Sequence, residues 1–466
     1  MSVTTAKRSA SPVAKTGAPL HAADPDAVTR RDDYSGSFDP SLTLADFSRK
    51  FLVRLGHEYL LIGHMLDRVG LPLIRMTKDT ETFTRSAIEE WMGASPIYSK
   101  RMQALMNFDG GDVATVFKNL QLEIGSPQQF MDFQFRLDSP EYGEFWLAHC
   151  GALLDVEPFG EDGVKNMCHD IEDPTFDATA AATHPKMVMR PMHRPPRADR
   201  PDGNGAGRWP HCRWMVYIGD DTVEFEQHPN RDIVADSLLA EIGHVLPDPD
   251  PDDGGWPDYS HDFDPHAVLA DFSHRALVGL VQEFAVQQLL LMRSYFVTQF
   301  THFGMEETQG YGHDLWRGHA AVACERFQRY LGIEGNDIET IAKIFQLHPH
   351  FQPRTYTDLR LELIGSNQLR VSLGDCPALN EHDDLTWFSQ LGPKPHAALA
   401  AIAQYVNPQA QLREVEDVGD ARLAWDIEID ESAEPAPEIP ELAIARMSGG
   451  MRFEFENRRL LRVAAE

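Results

Sequence analysis

One stretch of this sequence occurs twice. Phe38-Asp39-Pro40 followed by Leu44-Ala45-Asp46-Phe47-Ser48 recurs as Phe263-Asp264-Pro265 followed by Leu269-Ala270-Asp271-Phe272-Ser273, an interval of 225. At the same interval Glu58 answers Glu283, Trp91-x-Gly93 answers Trp316-x-Gly318, and Asp112, Lys118, Gln121 and Leu122 answer Asp337, Lys343, Gln346 and Leu347. Register holds without a gap over residues 38–122, which chance similarity does not do. One residue further out, Cys150 answers Cys376, and beyond it Trp214 answers Trp425. The chain therefore reads as a tandem duplication of one unit.

Each unit reads as helices first and strands after. A long amphipathic helix is expected over 42–68, a second around Trp-x-Gly, and a third opening at Asp112 or Asp337, good N-cap residues. The period then switches to two: Phe133, Phe135 and Leu137, a turn at 138–141, and a return through 145–147. Leu359, Leu361, Leu363 and then Leu369, Val371, Leu373 repeat it. That is a β-hairpin, followed by a crossing helix and a last strand bearing the tryptophan. The expected fold class is α+β, two units with a small antiparallel sheet each, packed as an intrachain pseudo-dimer. The expected division is a disordered segment over 1–35, a first repeat over 36–228, a linker over 229–260, a second repeat over 261–431, and an acidic Pro-rich spacer and tail over 432–466, in which Met451–Glu456 reads as a candidate added strand.

Charge narrows the partners. Lys and Arg total 42 against 72 Asp and Glu, a formal net charge of −30. Such a surface repels phosphate backbones and anionic headgroups. The apolar runs around Tyr59–Ile62 and Leu289–Met292 fall far short of the roughly 20 residues a membrane helix needs. A small-molecule partner is expected, with no nucleic acid and no membrane, and further oligomerisation is left open. Five cysteines, an odd number, and no apolar run in residues 1–35 predict a cytoplasmic protein with reduced thiols.

Chemistry-bearing residues concentrate in the first unit: Cys150, then Cys168-His169-Asp170-Ile171-Glu172, then His193-Arg194-Pro195-Pro196-Arg197, then His211-Cys212-Arg213-Trp214. The second unit keeps Cys376 of this set, and the segments Asp384–Trp387 and Asp420–Leu423 are taken to answer Cys168 and Cys212. Three readings stay open. In the first, Cys168 or Cys150 is a nucleophile with His169 or His193 as acid–base and Asp170 or Glu172 orienting it. In the second, Cys150, Cys168, His193 and Cys212 form a Cys₃His zinc site. In the third, the thiols are small core residues. Arg194 and Arg197 suit a substrate carboxylate, with Trp214 lining the same pocket. Glu58 and Glu283 read as structural, with a pocket carboxylate as the alternative, His57 and His64 as solvated or core-edge residues, and His348-Pro349-His350 as loop.

The run GIEGNDIETIAKIFQLHP with its hairpin and Asp375-Cys376-Pro377, together with MCHDIEDPTF, HRPPR and HCRW of the first unit, resembles the L-2-amino-thiazoline-4-carboxylic acid hydrolase-like family. Where that family carries a cysteine before the paired prolines, this chain has Met192-His193-Arg194. The resemblance implies a hydrolase or lyase opening a C–N bond in a carboxylate-bearing, heterocyclic substrate. The alternative is a non-catalytic metal- or ligand-binding protein built on the zinc site; zinc is the one cofactor implied.

Overall fold

The computed structural model describes residues 30–196, 210–250 and 253–456. Helices begin where a side chain can take up a backbone N–H that the first turn leaves unpaired. Ser48 opens α1 (Arg49–His64), seven residues later than the periodicity suggests, because a 3₁₀ turn over Leu44–Asp46 comes first. α2 (Asp67–Thr77) follows, and Asp79 opens α3 (Thr80–Leu105). Asp112 opens α4 (Val113–Leu120), accepting from the Thr115 N–H at 2.9 Å. The hairpin is β1 (Met131–Ser139) and β2 (Tyr142–Cys150). α5 (Gly151–Val156), α6 (Gly160–Lys165), a π-helical turn over Asn166–Ile171 and α7 (Glu172–Ala181) then lead to β3 (Val188–His193) and β4 (Arg213–Tyr217).

After α8 (Pro229–Ala235) and α9 (Leu238–Glu241), the second half repeats the order. α10 (His274–Arg326) runs through the counterparts of α1 to α3, and its one non-helical residue, Gly304 at φ 74°, stands 225 positions after the cap Asp79. Asp337 opens α11 (Ile338–Leu347); α12 (Arg354–Thr357), the hairpin β5 (Leu359–Leu363) and β6 (Gln368–Leu373), α13 (Ala397–Val406), β7 (Ala410–Glu414), β8 (Leu423–Ile429) and α14 (Pro440–Ala445) complete the chain.

The protein is α+β, with two antiparallel four-stranded sheets in the same order: β1-β2-β4-β3 and β5-β6-β8-β7. Phe145 of β2 faces Trp214 of β4, and Val371 of β6 faces Trp425 of β8. Both tryptophans are fully buried. α7 and α13 are ten residues each and again 225 apart. That spacing puts Cys168 opposite Pro393, not opposite the Asp384–Trp387 segment the sequence suggests.

The halves meet through contacts that recur reciprocally at the same interval, the pattern of a self-complementary interface. Glu58 pairs with Arg326 (2.6 Å), and Arg101 with Glu283 (2.8 Å). The Tyr34 hydroxyl donates to Gln346, and Tyr259 to Gln121. Lys343 donates to the Gly36 carbonyl, and Lys118 to that of His261. Where α1 approaches α10, Gly63 leaves no room for a side chain: a Cβ there would lie 2.6 Å from Ile124 Cγ2 and 2.8 Å from Gln288 Cγ. One hydrophobic core takes residues from both halves.

These contacts correct three boundaries. Residues 1–29 lie outside the described residues, but within the segment expected to be disordered Arg31 bridges to Phe47 and Tyr34 is buried against the second half. The expected linker over 229–260 carries α8, α9 and the buried side chains Val234, Leu239 and Tyr259, so apolar anchors outweigh its Pro/Asp composition. In the tail, Glu441 of α14 pairs with Arg317, and Met451 is buried. Residues 449–452 form a 3₁₀ turn, not the added strand.

Candidate functional site

Cys150 ends β2 and caps α5, its sulfur accepting the Leu153 N–H at 3.3 Å. Cys212 immediately precedes β4, and its carbonyl accepts from Leu147 of β2 at 3.2 Å. Antiparallel pairing of β2 with β4 thus brings the first and last thiols to the same end of the sheet. Cys168 sits in the π-helical turn, a geometry met mostly at functional sites, and Glu172 lies one turn on. The three thiols are 3%, 3% and 6% exposed.

The Glu172 carboxylate bears on all three thiols. Burial pushes Cys150 up to about 12, and the Glu172 charge adds to it. Burial raises Cys168 and Cys212 far above the ordinary thiol range, Glu172 again adding, and Cys168 also feels the other two thiols. Glu172 is itself pushed up to about 8 by burial, against the pull of Arg194. Arg194 pairs with Asp173 and lies 5.8 Å from the Trp214 ring centre.

The remaining candidates are placed elsewhere. His169 donates Nε2–H to the Pro195 carbonyl at 2.6 Å, so its proton is already committed. His193, expected among the thiols, is exposed on edge strand β3 with Nε2 3.3 Å from the Pro210 carbonyl. Its register partner is Arg213, next to Cys212, and its one described hydrogen-bond partner is that carbonyl and not a thiol. Asp170 is exposed in a surface cleft with Thr84, Arg85, Glu89, Asn166 and His228, on the face of the turn away from Cys168. Arg197 lies outside the described residues. Among those described, no three His, Cys, Asp or Glu side chains are spaced to hold a metal ion.

Two buried polar clusters escape a reading by motif. In the first half, Asp67 accepts the Trp91 indole N–H at 2.8 Å and lies beside Glu90, whose two oxygens have no hydrogen-bond donor. Burial raises Asp67 to about 6, Glu123 to about 8, and Glu90 well above its ordinary value, the last with help from Asp67. In the second half, His319, His348 and His350 are fully buried and joined to one another, beside Trp387. His348-Pro349-His350 is thus core and not loop. Glu58 and Glu283 are the buried structural groups the repeat suggested, both spent on ion pairs across the halves. His57 and His64 are buried too; His57 stacks on Phe455 at 4.7 Å.

Compared with protein families, with curated proteins and with solved structures, the chain matches none. No helix among the described residues is long and apolar enough to cross a membrane.

Proposed function

We propose that the first half carries a thiol-based site for a small carboxylate-bearing substrate, and that the protein is a hydrolase or lyase acting on a C–N bond in the cytoplasm. The observation that supports this best is the grouping of Cys168 with Glu172, one turn apart and next to Arg194. Glu172 is the acid–base partner in this reading, His169 having committed its proton to the Pro195 carbonyl. A carboxyl raised to about 8 is a far stronger base than an ordinary one and is suited to proton transfer near neutral pH. In the step envisaged, the Cys168 thiol passes its proton to the Glu172 carboxylate and its sulfur bonds to the electrophilic carbon. Glu172 then delivers that proton to the nitrogen as the C–N bond breaks, and water releases the acyl group from sulfur. A substrate carboxylate would take the place of Asp173 on Arg194, a bidentate partner, against the Trp214 face. The resemblance to thiazoline-carboxylate hydrolases points to the same substrate class.

Mass-spectrometric alkylation tests the reading. Cys168 is expected to react ahead of Cys150 and Cys212, with a rate that climbs through about pH 8, and Glu172→Gln is expected to flatten that climb. Three thiols that react only on unfolding would end the nucleophile reading.

A second reading keeps the zinc site: Cys150 and Cys212 lie at the same end of the sheet and would have to close with Cys168 to ligating distance, since they are not at that spacing as they stand. Cys150, Cys168 and Cys212 would supply sulfur, and Glu172 would stand where the sequence put His193. Elemental analysis of the purified protein separates the two, since this reading requires stoichiometric metal that Cys168→Ser removes.

A further inference from the structure

Sheet edges are where a fold exposes its backbone. The order β1-β2-β4-β3 leaves one flank of β1 without a strand partner among the described residues. Such a flank offers a row of N–H and C=O groups to any extended segment that reaches it. β1 is nine residues long, against five for β5, the corresponding edge of the second sheet. A groove runs beside it. One wall is residues 128–135, the start of β1 and the turn before it, and the other is residues 265–268, from the arm of the second half. Phe133 and Phe135 lie on the core face of β1, against Phe145 and Phe117, with Phe133 only half-buried. Asp132, one residue off in the alternation, lies on the opposite face.

The tail of the chain is led to this groove. Gln129, one of the lining residues, donates Nε2–H to the Glu456 carbonyl at 2.9 Å and accepts the Glu456 N–H on Oε1 at 2.7 Å. One side-chain amide thus takes both backbone groups of one residue, as the opposite residue of a neighbouring strand does in a hydrogen-bonded antiparallel pair. Upstream, Phe453 packs on Phe130 at 5.3 Å and Phe455 on His57 at 4.7 Å, so Glu456 is a fixed point of departure. Ten residues follow it: Asn457-Arg458-Arg459-Leu460-Leu461-Arg462-Val463-Ala464-Ala465-Glu466. At about 3.3 Å per residue they can reach roughly 30 Å, the full length of β1. In an extended chain Leu461 and Val463 fall on one face and Arg458 and Arg462 on the other. That matches Phe133 and Phe135 on one face of β1 and Asp132 on the other. Three arginines also suit a chain whose net charge is −30.

We propose that the groove is the docking site of residues 457–463 of this same chain, laid along the outer flank of β1 as an added strand. Gln129 sets the register by fixing Glu456. The apolar face of the segment closes over Phe133, and its arginines run along Asp132. The segment thereby covers an edge that would otherwise be open to pairing with a second copy of the chain.

Hydrogen exchange read by mass spectrometry on the full-length protein tests the placement at the β1 amides that point away from β2. They are expected to be protected. A stop after Glu456 is expected to speed their exchange at least about tenfold while β2 and β4 stay unchanged, and a synthetic peptide of residues 457–466 is expected to restore the protection. If the shortened chain does not fold, Leu461→Asp with Val463→Asp in the full-length protein leaves Glu456 in place and is expected to have the same effect. Fast exchange at these amides in the wild type overturns the proposal, and so does protection that both variants retain. Protection that rises with protein concentration, together with a dimer in sedimentation, also overturns it and assigns the edge to a second copy.

Discussion

Asp67, Glu90 and Glu123 sit in surroundings that favour the neutral carboxylic acid. Burial comes first for all three, and Asp67 also opposes the ionisation of Glu90. Their folded pKa values lie above the unfolded ones, so the folded protein keeps protons that the unfolded chain gives up. The stability they contribute is therefore complete below about pH 4 and drains as pH rises towards 8, with a slope approaching about 1.4 kcal/mol per pH unit for each titrating group. The difference in unfolding free energy between wild type and Glu123→Gln should then move in favour of the variant from pH 5 to pH 8. Denaturant titrations across that range check it, and a difference independent of pH would refute it. None of these carboxyls was legible as a site. A glutamate on a helix looks alike in sequence whether it faces water or the opposite helix, and the fold alone decides. The thiols were easier to single out, since three in one half and Cys376 alone opposite them is a visible asymmetry. The partner assigned to them, His193, stands at the same end of the sheet, opposite Arg213, but is exposed and hydrogen-bonds to the Pro210 carbonyl.

At the level of elements, what carried a local chemical signature was readable. Asp112 and Asp337 cap their helices as expected, and both hairpins follow the alternation of Phe and Leu. The missed strands, β3 and β7, are edges of their sheets, where one flank of backbone goes unpaired and the selection for pattern is weaker. β3 even contains Pro191, which an edge tolerates and a central strand does not. The π-helical turn at Asn166–Ile171 has no sequence signature at all, since it is one residue more than an α-turn would hold. That makes it testable by deletion. Removing Asp170, which lies between Cys168 and Glu172, should convert the turn to α-helix and change the angle between those two side chains, since each helical residue advances by roughly 100°. The fold should survive, because α7 keeps its own contacts, among them Phe176 against Trp214 at 4.8 Å. Cys168 should lose its alkylation advantage or its share of bound metal. Retention of both would show that the turn does not position the thiol.

At the level of the whole molecule, the reciprocal contacts bind each half to the arm that leads into the other. Tyr34 precedes the first half yet bonds to Gln346 of the second, and Tyr259 precedes the second yet bonds to Gln121 of the first. Neither half can leave without breaking both. Chemical unfolding should accordingly show one transition, with tryptophan fluorescence and far-ultraviolet circular dichroism coinciding; two separated midpoints would mean the halves unfold independently. The interval of 225 made the halves visible in the sequence, but not their mutual grip. Glu58 and Arg101 lie far apart within one half, and each becomes an ion pair only when the other half supplies Arg326 or Glu283. The Glu58–Arg326 pair is almost wholly buried, with side chains 4% and 0% exposed. Two effects compete there: the cost of taking both charges out of water and their mutual attraction. Removing one partner leaves the desolvation cost uncompensated, typically about 3–5 kcal/mol, whereas replacing both with apolar groups often costs little. Glu58→Leu alone should strand a guanidinium that also donates to the Gly450 and Phe453 carbonyls at 2.8 and 2.9 Å. It should lower the unfolding free energy by several kcal/mol and loosen the tail that those bonds hold. The double variant Glu58→Leu with Arg326→Met removes both charges, and should recover part of the ion-pair loss while forfeiting the tail's hydrogen bonds. A double-mutant cycle by denaturant titration measures the coupling. Additive losses from the two substitutions would show that the pair does not hold the halves together.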